Sequence, residues 1–361
     1  MSVLLAVADG RLGGGTTHVL QLIEALRDAL PVELHLLTQS GSPLLAEAGR
    51  RGVAGHGLEF FASRLDPRLS VRIRALLHRL RPALVHAHGS RAGLPLSFAV
   101  RGARFLYSVH GYHFVGKPAL VRRLALLAER RCSARADLTV FVSRYDRDLA
   151  ERAGILNACR DYAVIPNGVD PTGLPPARSG GHDRRLGFLG RLSAEKNPLL
   201  ALEVLDRLRA DGHRLRVIGD GPLLAVVRQR AAALGLADRV ELLGAWPRKE
   251  ALDALAECDA LLMPSLWEGM PMAPLEAMAI GVPVVASAVG GLTEIIDDGR
   301  TGFLIPQPDP ARYARAVRAL GDAATRARIV AAARRVFEER YAWPITRQIY
   351  LDLYRRLLDR A

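Results

Sequence analysis

Residues 261–304 read LLMPSLWEGMPMAPLEAMAIGVPVVASAVGGLTEIIDDGRTGFL. The apolar run at 259–263 stops at Pro264, as a buried parallel strand does. A loop, 265–274, follows and holds one acid, Glu268. Proline suits the first helical position, so a helix is expected to start near Pro274, with Glu276 in its first turn and Gly281 ending it. A second buried strand is expected over 282–286, and Gly290-Gly291 opens another helix. The pattern is βαβ, and it presents two carboxylates at the C-terminal end of a parallel sheet, where open α/β sheets bind ligands.

Glu268 and Glu276 are spaced for a polyol. An ionised carboxylate accepts two hydrogen bonds from a vicinal diol, so two of them can grip two sugars. Gly269 and Met270 add backbone N–H groups near a helix start, a site for anions or hydroxyls. Taken alone, Glu276 is better read as an acid complementing a helix dipole. The whole constellation carries more. Glu268-Gly269, Pro271, Leu275-Glu276-Ala277-Met278-Ala279, Gly281, Pro283-Val284-Val285-Ala286, Gly290-Gly291 and Thr301-Gly302-Phe303 together resemble the glutamate–seven residues–glutamate signature of the family 4 retaining glycosyltransferases. That resemblance implies the GT-B fold: α/β, two Rossmann-like doubly wound domains facing across a cleft.

The totals agree with two domains. The chain has 361 residues, half of them hydrophobic, enough for sizeable cores. Three widely spaced cysteines, Cys132, Cys159 and Cys258, give neither a disulfide framework nor a zinc pattern and point to a reducing cytosol. The first ten residues have no basic region, and their apolar run is too short for a signal peptide. No apolar segment reaches the roughly 20 residues of a membrane span. The net charge of +13 is uneven: residues 1–170 hold 23 Lys and Arg against 14 Asp and Glu, and residues 171–361 hold 27 against 23. The excess in the first half calls for an anionic partner there. No nucleic-acid-binding module accompanies it, so the expected partner is an anionic membrane surface carrying a lipid-linked acceptor, with a soluble acceptor as the alternative. The expected location is cytoplasmic or peripheral on the inner membrane face.

In chain order, a buried strand at 3–8 leads into Asp9-Gly10-Arg11-Leu12-Gly13-Gly14-Gly15 and a helix over about 16–30. This is not G-x-G-x-x-G, because His18 takes the last glycine's place. The strand at 33–38 lacks a terminal acid for a ribose, which disfavours a dehydrogenase. The resemblance puts Gly14 and Gly15 beside the donor. Residues 58–81 are basic and helix-permissive, with Arg64, Arg68 and Arg72 on one face. A strand then ends in His86-Ala87-His88-Gly89; no acid or third histidine follows at metal-binding spacing, leaving substrate contact or packing for His88 and packing for His86. After the strand at 105–109, His110 matches the family's histidine beneath the donor sugar, and His113 lines the acceptor side. Residues 117–135 place Leu120, Leu124, Leu127 and Ala128 at helical spacing beside Arg122, Arg123, Arg130 and Arg131. Both a membrane-surface helix and an ordinary packed helix look like this. Asp146-Arg147-Asp148 has the form of a metal-binding D-x-D, but Ser143 three residues before Asp146 reads instead as a helix N-cap.

The first domain is expected over 1–165, a Pro/Gly-rich linker over 166–183, and the second domain over 184–340. By resemblance, the last helix, 341–361, crosses back to the first domain. Arg191 and Lys196 follow the strand at 186–189, near a helix start, where basic groups want an anion. They match the family's diphosphate-binding pair. Gly219 and Ala245 end the next two strands, and the family makes nucleobase contacts around Ala245-Trp246. The resemblance implies transfer from a nucleoside-diphosphate sugar without metal or other cofactor. Arg191 and Lys196 would act on the diphosphate, Glu276 on the ribose, Glu268 on the sugar hydroxyls, and His110 near the reacting carbon. A nucleotide-sugar phosphorylase or epimerase, and a catalytically silent membrane scaffold, are the alternatives.

Overall fold

The computed structural model describes residues 1–11, 13–61, 67–112, 114–115, 117–176 and 184–359, with Pro67 described by its backbone only. Arg64, His113 and the last residues of the expected linker lie outside these. Two compact units form: Met1–Asn167 with the chain from Thr346 onward, and Gly168–Ile345.

In the first unit, seven strands alternate with helices: β1 Ser2–Val7, α1 Gly14–Ala29, β2 Glu33–Gln39, α2 Pro43–Arg50, β3 Ala54–Leu58, α3 Pro67–Leu80, β4 Leu84–His88, α4 Ser90–Ala99, β5 Arg104–Val109, α5 Ala119–Arg135, β6 Leu138–Phe141, α6 Arg144–Arg152 and β7 Tyr162–Val164. The second unit runs β8 Arg185–Leu189, α7 Pro198–Arg207, β9 Arg214–Ile218, α8 Leu224–Ala233, β10 Val240–Gly244, α9 Arg248–Ala256, β11 Ala260–Met263, α10 Met272–Ile280, β12 Val284–Ser287, α11 Leu292–Ile295, β13 Phe303–Ile305, α12 Pro310–Ala319 and α13 Ala323–Arg340. Helix α14, Trp343–Leu358, returns to the first unit from Thr346 on.

Both sheets are parallel throughout, in the orders β3-β2-β1-β4-β5-β6-β7 and β10-β9-β8-β11-β12-β13. Central strands are buried on both faces, which is why β1 (SVLLAV) and β11 (ALLM) read as continuous apolar runs. In each sheet the strand order reverses beside the first strand, between β1 and β4 and between β8 and β11. The connections from these neighbours leave in opposite directions, so a crevice opens at their C-terminal ends.

Several local expectations shift. Helix α10 starts at Met272 with Pro271 as its N-cap, so Glu276 stands in the second turn, not the first. Pro274 marks no start, because first-turn N–H groups have no intrahelical acceptor and a proline is tolerated there. The basic stretch 58–81 is divided: β3 ends at Leu58, and α3, with Arg68 and Arg72, begins only at Pro67. Ser143 does cap α6, its Oγ accepting from Asp146 N at 3.0 Å and donating to Asp146 Oδ2 at 2.8 Å. Residues 168–176 of the expected linker and 341–345 of the expected terminal helix segment belong to the second unit. Val169 N donates to Tyr341 O, and Trp343 N donates to Val169 O.

Candidate functional site

In the second unit, the loops after β8 and β11 meet across the strand-order reversal. Lys196 Nζ donates to both oxygens of Glu268, at 2.6 and 2.8 Å, and Ser265 Oγ donates to Glu268 Oε1 at 2.6 Å. The backbone closes the same junction, with Leu266 N on Glu195 O at 2.8 Å. Arg191, from the β8 loop, is exposed. The diphosphate and sugar-hydroxyl candidates are thus already joined, a cation partly neutralising a buried carboxylate.

Glu276 is buried on α10, facing the start of α9. Arg248, the first residue of α9, donates from Nε to Glu276 Oε1 at 3.0 Å, with Nη2 2.9 Å from the same oxygen. Burial pushes the Glu276 carboxyl above the ordinary carboxylate range, and Arg248 pulls it back. Oε2 makes no hydrogen bond among the described residues, so one acceptor oxygen is left for a diol.

Glycines let these loops approach one another. A Cβ on Gly290, whose φ is +54°, would lie 1.8 Å from the Glu268 carbonyl oxygen, and one on Gly291 would lie 2.0 Å from that of Gly269. Gly291 N donates to Gly269 O at 2.8 Å. The Gly290-Gly291 pair therefore shapes the Glu268 loop, a role its place before a helix did not reveal. Gly219 is similarly constrained, its Cβ position 2.0 Å from the Gly190 carbonyl oxygen. Ala245 is exposed just past β10, and Met270 is buried.

The first unit gathers its own group at the C-terminal ends of β1, β4 and β5. Gly13 N donates to Thr16 Oγ1 at 2.8 Å, closing the glycine turn; Gly14 begins α1, and a Cβ on Gly15 would meet nothing within 4 Å. His18, on α1, packs edge-on to His110, with ring centroids 5.5 Å apart. His88 Nδ1 lies 2.9 Å from His110 Nε2. His86 bridges Tyr354 Oη at 2.6 Å and Ser108 Oγ at 2.7 Å. Burial lowers the pKa of all four histidines, His18 to about 3 and His110 to about 4. All four are neutral at pH 7, so in the His88–His110 pair one nitrogen donates and the other accepts. His88 Nε2 is buried with no partner among the described residues. Placing the His88 proton on Nδ1 avoids an orphaned buried N–H. His110 Nε2 is then the acceptor, and its own proton sits on Nδ1.

The structure thus collects Arg191, Lys196, Gly219, Ala245, Glu268, Gly269, Met270 and Glu276 along one sheet edge of the second unit, and Gly14, Gly15 and His110 along one edge of the first. Sequence reasoning missed Arg248, Ser265, His18 and Tyr354. Arg248 carried a usable signal, a cation at a helix start, the one that singled out Arg191 and Lys196. Tyr354 carried none, since 268 residues separate it from His86.

Residues 12–172 match the family model described as Glycosyltransferase Family 4, and residues 176–336 match the one described as Glycosyl transferases group 1. The D-inositol 3-phosphate glycosyltransferase of Geodermatophilus obscurus is 34% identical over 249 residues, covering 60% of this chain and 55% of that protein. The UDP-Gal:alpha-D-GlcNAc-diphosphoundecaprenol alpha-1,3-galactosyltransferase of Escherichia coli is 28% identical over 267 residues, 68% of this chain and 67% of that one. The chain thus spans between about half and two thirds of these relatives' length. Among solved structures, Anabaena HepE in complex with UDP and glucose superposes with a TM-score of 0.85 at 19% identity, over 98% of this chain and 99% of that one. At that identity the likeness is one of fold.

Proposed function

The chain belongs to the family 4 glycosyltransferases and has the two Rossmann-like domains of the GT-B fold, and from that premise we propose that it transfers a sugar from a nucleoside-diphosphate sugar to an acceptor hydroxyl with retention of configuration. The observation that carries this reading is the Lys196–Glu268 pair at the β8/β11 crevice, with Arg191 on the same loop as Lys196 and the Arg248–Glu276 pair along the same sheet edge. Glu276 Oε2 accepts from the ribose diol. Glu268 accepts from sugar hydroxyls, and Lys196 and Arg191 hold the diphosphate. No metal is needed in this scheme, since the two cations neutralise the charge that grows on the leaving group.

The anomeric carbon's bond to the diphosphate oxygen breaks, and a bond to the acceptor oxygen forms on the same face. The acceptor proton passes to the departing phosphate oxygen. His110, neutral and carrying its proton on Nδ1, donates near the reacting carbon. The acceptor is a lipid-linked or soluble glycan, as the lipid-diphosphate acceptor in the E. coli relative's name suggests. The test is a screen of purified protein against a panel of nucleotide sugars, with and without EDTA, and NMR of the product's anomeric proton. Donor turnover that survives chelation and gives the donor's own anomer is expected. No turnover of any donor would sink the reading, and an inverted product would sink its stereochemistry.

A further inference from the structure

Helix α5 turns most of its leucines outward. Its buried residues are Glu129, Cys132 and Ser133, with Ala125 and Leu126 packed beside them on the core, while the other three leucines face solvent: Leu120, Leu124 and Leu127 are 71%, 54% and 60% exposed. These three lie one or two turns apart on one stripe, and Arg131 continues it. A helix of a soluble domain ordinarily buries such a stripe. The two readings that the leucine–arginine pattern allows therefore part here, because the packed face is not the leucine face.

The exposed apolar surface continues onto the neighbouring helices. The Arg131 guanidinium lies 4.6 Å over the ring of Phe98, on α4, which is 50% exposed. The Phe98 carbonyl accepts from Arg74 Nη2 at 3.0 Å, one helical turn beyond Val71, on α3, which is 66% exposed. Contiguous exposed apolar patches of this kind mark interaction sites.

We propose that this outer face of α3, α4 and α5 docks on an anionic phospholipid bilayer. Its charge is the argument. From residue 67 to residue 136 the sequence has fourteen Lys and Arg and a single acid, Glu129. That acid is buried and accepts from Tyr107 Oη at 2.6 Å, so it offers the surface no negative charge. Leucines ringed by arginines suit an interface of acyl chains beneath anionic headgroups. A second copy of the chain would set arginines against arginines. The N-terminal end of α5 follows β5 and His110 by one loop, so the face begins at the sheet edge that carries the histidine group.

The experiment is flotation of the full chain with vesicles, which needs no transfer chemistry and so stands apart from the donor screen. The protein is expected to float with phosphatidylcholine vesicles containing about a third phosphatidylglycerol at about 0.05 M salt, to stay behind with phosphatidylcholine alone, and to bind more weakly at about 0.5 M. Arg122→Ser with Arg123→Ser should weaken binding roughly 20–30-fold, at about fivefold per arginine. These two are chosen because Arg130 is held by the Ala153 carbonyl and Arg131 by that of Ser97. Leu120→Gln, Leu124→Gln and Leu127→Gln together should weaken it at least about tenfold with only a small change in the unfolding midpoint, since these side chains are more than half exposed and Gln forms helix nearly as well as Leu. Protein that stays in solution with anionic vesicles at low salt overturns the proposal, as does a leucine variant that floats like the wild type. A dimer dissolved by the leucine substitutions, without vesicle binding, assigns the face to a second copy and also overturns it.

Discussion

Lys196 reaches across the strand-order reversal of the second sheet and places its ammonium 2.6 and 2.8 Å from the two oxygens of Glu268. The two residues are 72 positions apart and arrive on loops that follow β8 and β11. Their pairing makes the diphosphate and sugar groups one electrostatic unit. Removing either leaves the other a buried or half-buried charge without its partner. Lys196→Met and Glu268→Gln should each cost about 1–3 kcal/mol, and the double variant less than their sum by roughly 1 kcal/mol or more. Urea denaturation of the four proteins measures this, and strict additivity would show that the pair is not coupled. Each single variant should also lower kcat by about 10²–10³, since charge stabilisation grows as the diphosphate departs.

The Arg248–Glu276 pair predicts how nucleotide binding depends on pH. The ionised carboxylate accepts from the ribose, so affinity for the free nucleoside diphosphate should fall as pH drops through the Glu276 pKa. Burial raises that pKa and Arg248 lowers it, so Arg248→Ala should move the inflection to higher pH. Glu276→Ala should weaken free-nucleotide binding, whereas Glu268→Ala should leave it intact and impair turnover of the whole donor. Calorimetry across pH tests all three, and an inflection that stays in place without Arg248 would contradict the pairing.

The histidine group predicts acid sensitivity of the first unit. Each of His18, His86, His88 and His110 has its folded pKa below the ordinary 6.5. The unfolded chain therefore binds protons that the folded chain does not. Stability is fully present above about pH 6.5 and is lost as pH falls toward about 4. Four such groups give a slope of roughly 2–5 kcal/mol per pH unit. Glu129, in the same unit and raised above the ordinary carboxylate range, acts in the opposite sense, one group against four. Denaturation midpoints measured from pH 7 down to pH 5 should fall steeply; a flat profile would mean that the histidines protonate without cost.

Gly290→Ala tests the loop contact directly. The added methyl would occupy the position 1.8 Å from the Glu268 carbonyl oxygen, at a backbone φ of +54°. Backbone cannot yield as a side chain does, so a loss of roughly 3 kcal/mol or more is expected, with the Glu268 loop displaced. Gly15→Ala is the contrast, since a Cβ there meets open space. It should fold normally, and its effect should appear in donor kinetics. A Gly290→Ala protein as stable and active as the wild type would refute the contact.

What the sequence determined by itself is local. Apolar runs bounded by Pro and Gly marked β1, β4, β5, β8, β11 and β12, because strands buried on both faces need continuous apolar residues. A ligand site in a parallel sheet falls on the loops after such strands, so Arg191, Lys196 and Glu268 could be marked as candidates there, while Gly15 and His110 were named by resemblance to the family. The edge strand β3, AGHGL, is largely exposed and sends no such signal. The rest is decided by long-range packing. Periodicity says that α5 has a leucine stripe, but only the surrounding helices determine that the stripe faces outward. Charge order along the chain says nothing of which cation meets which acid, so Arg248–Glu276 and Lys196–Glu268 appear only when segments 28 and 72 residues apart converge. The Tyr354–His86 hydrogen bond needs the chain's last helix to return to its first sheet, an event no local pattern encodes.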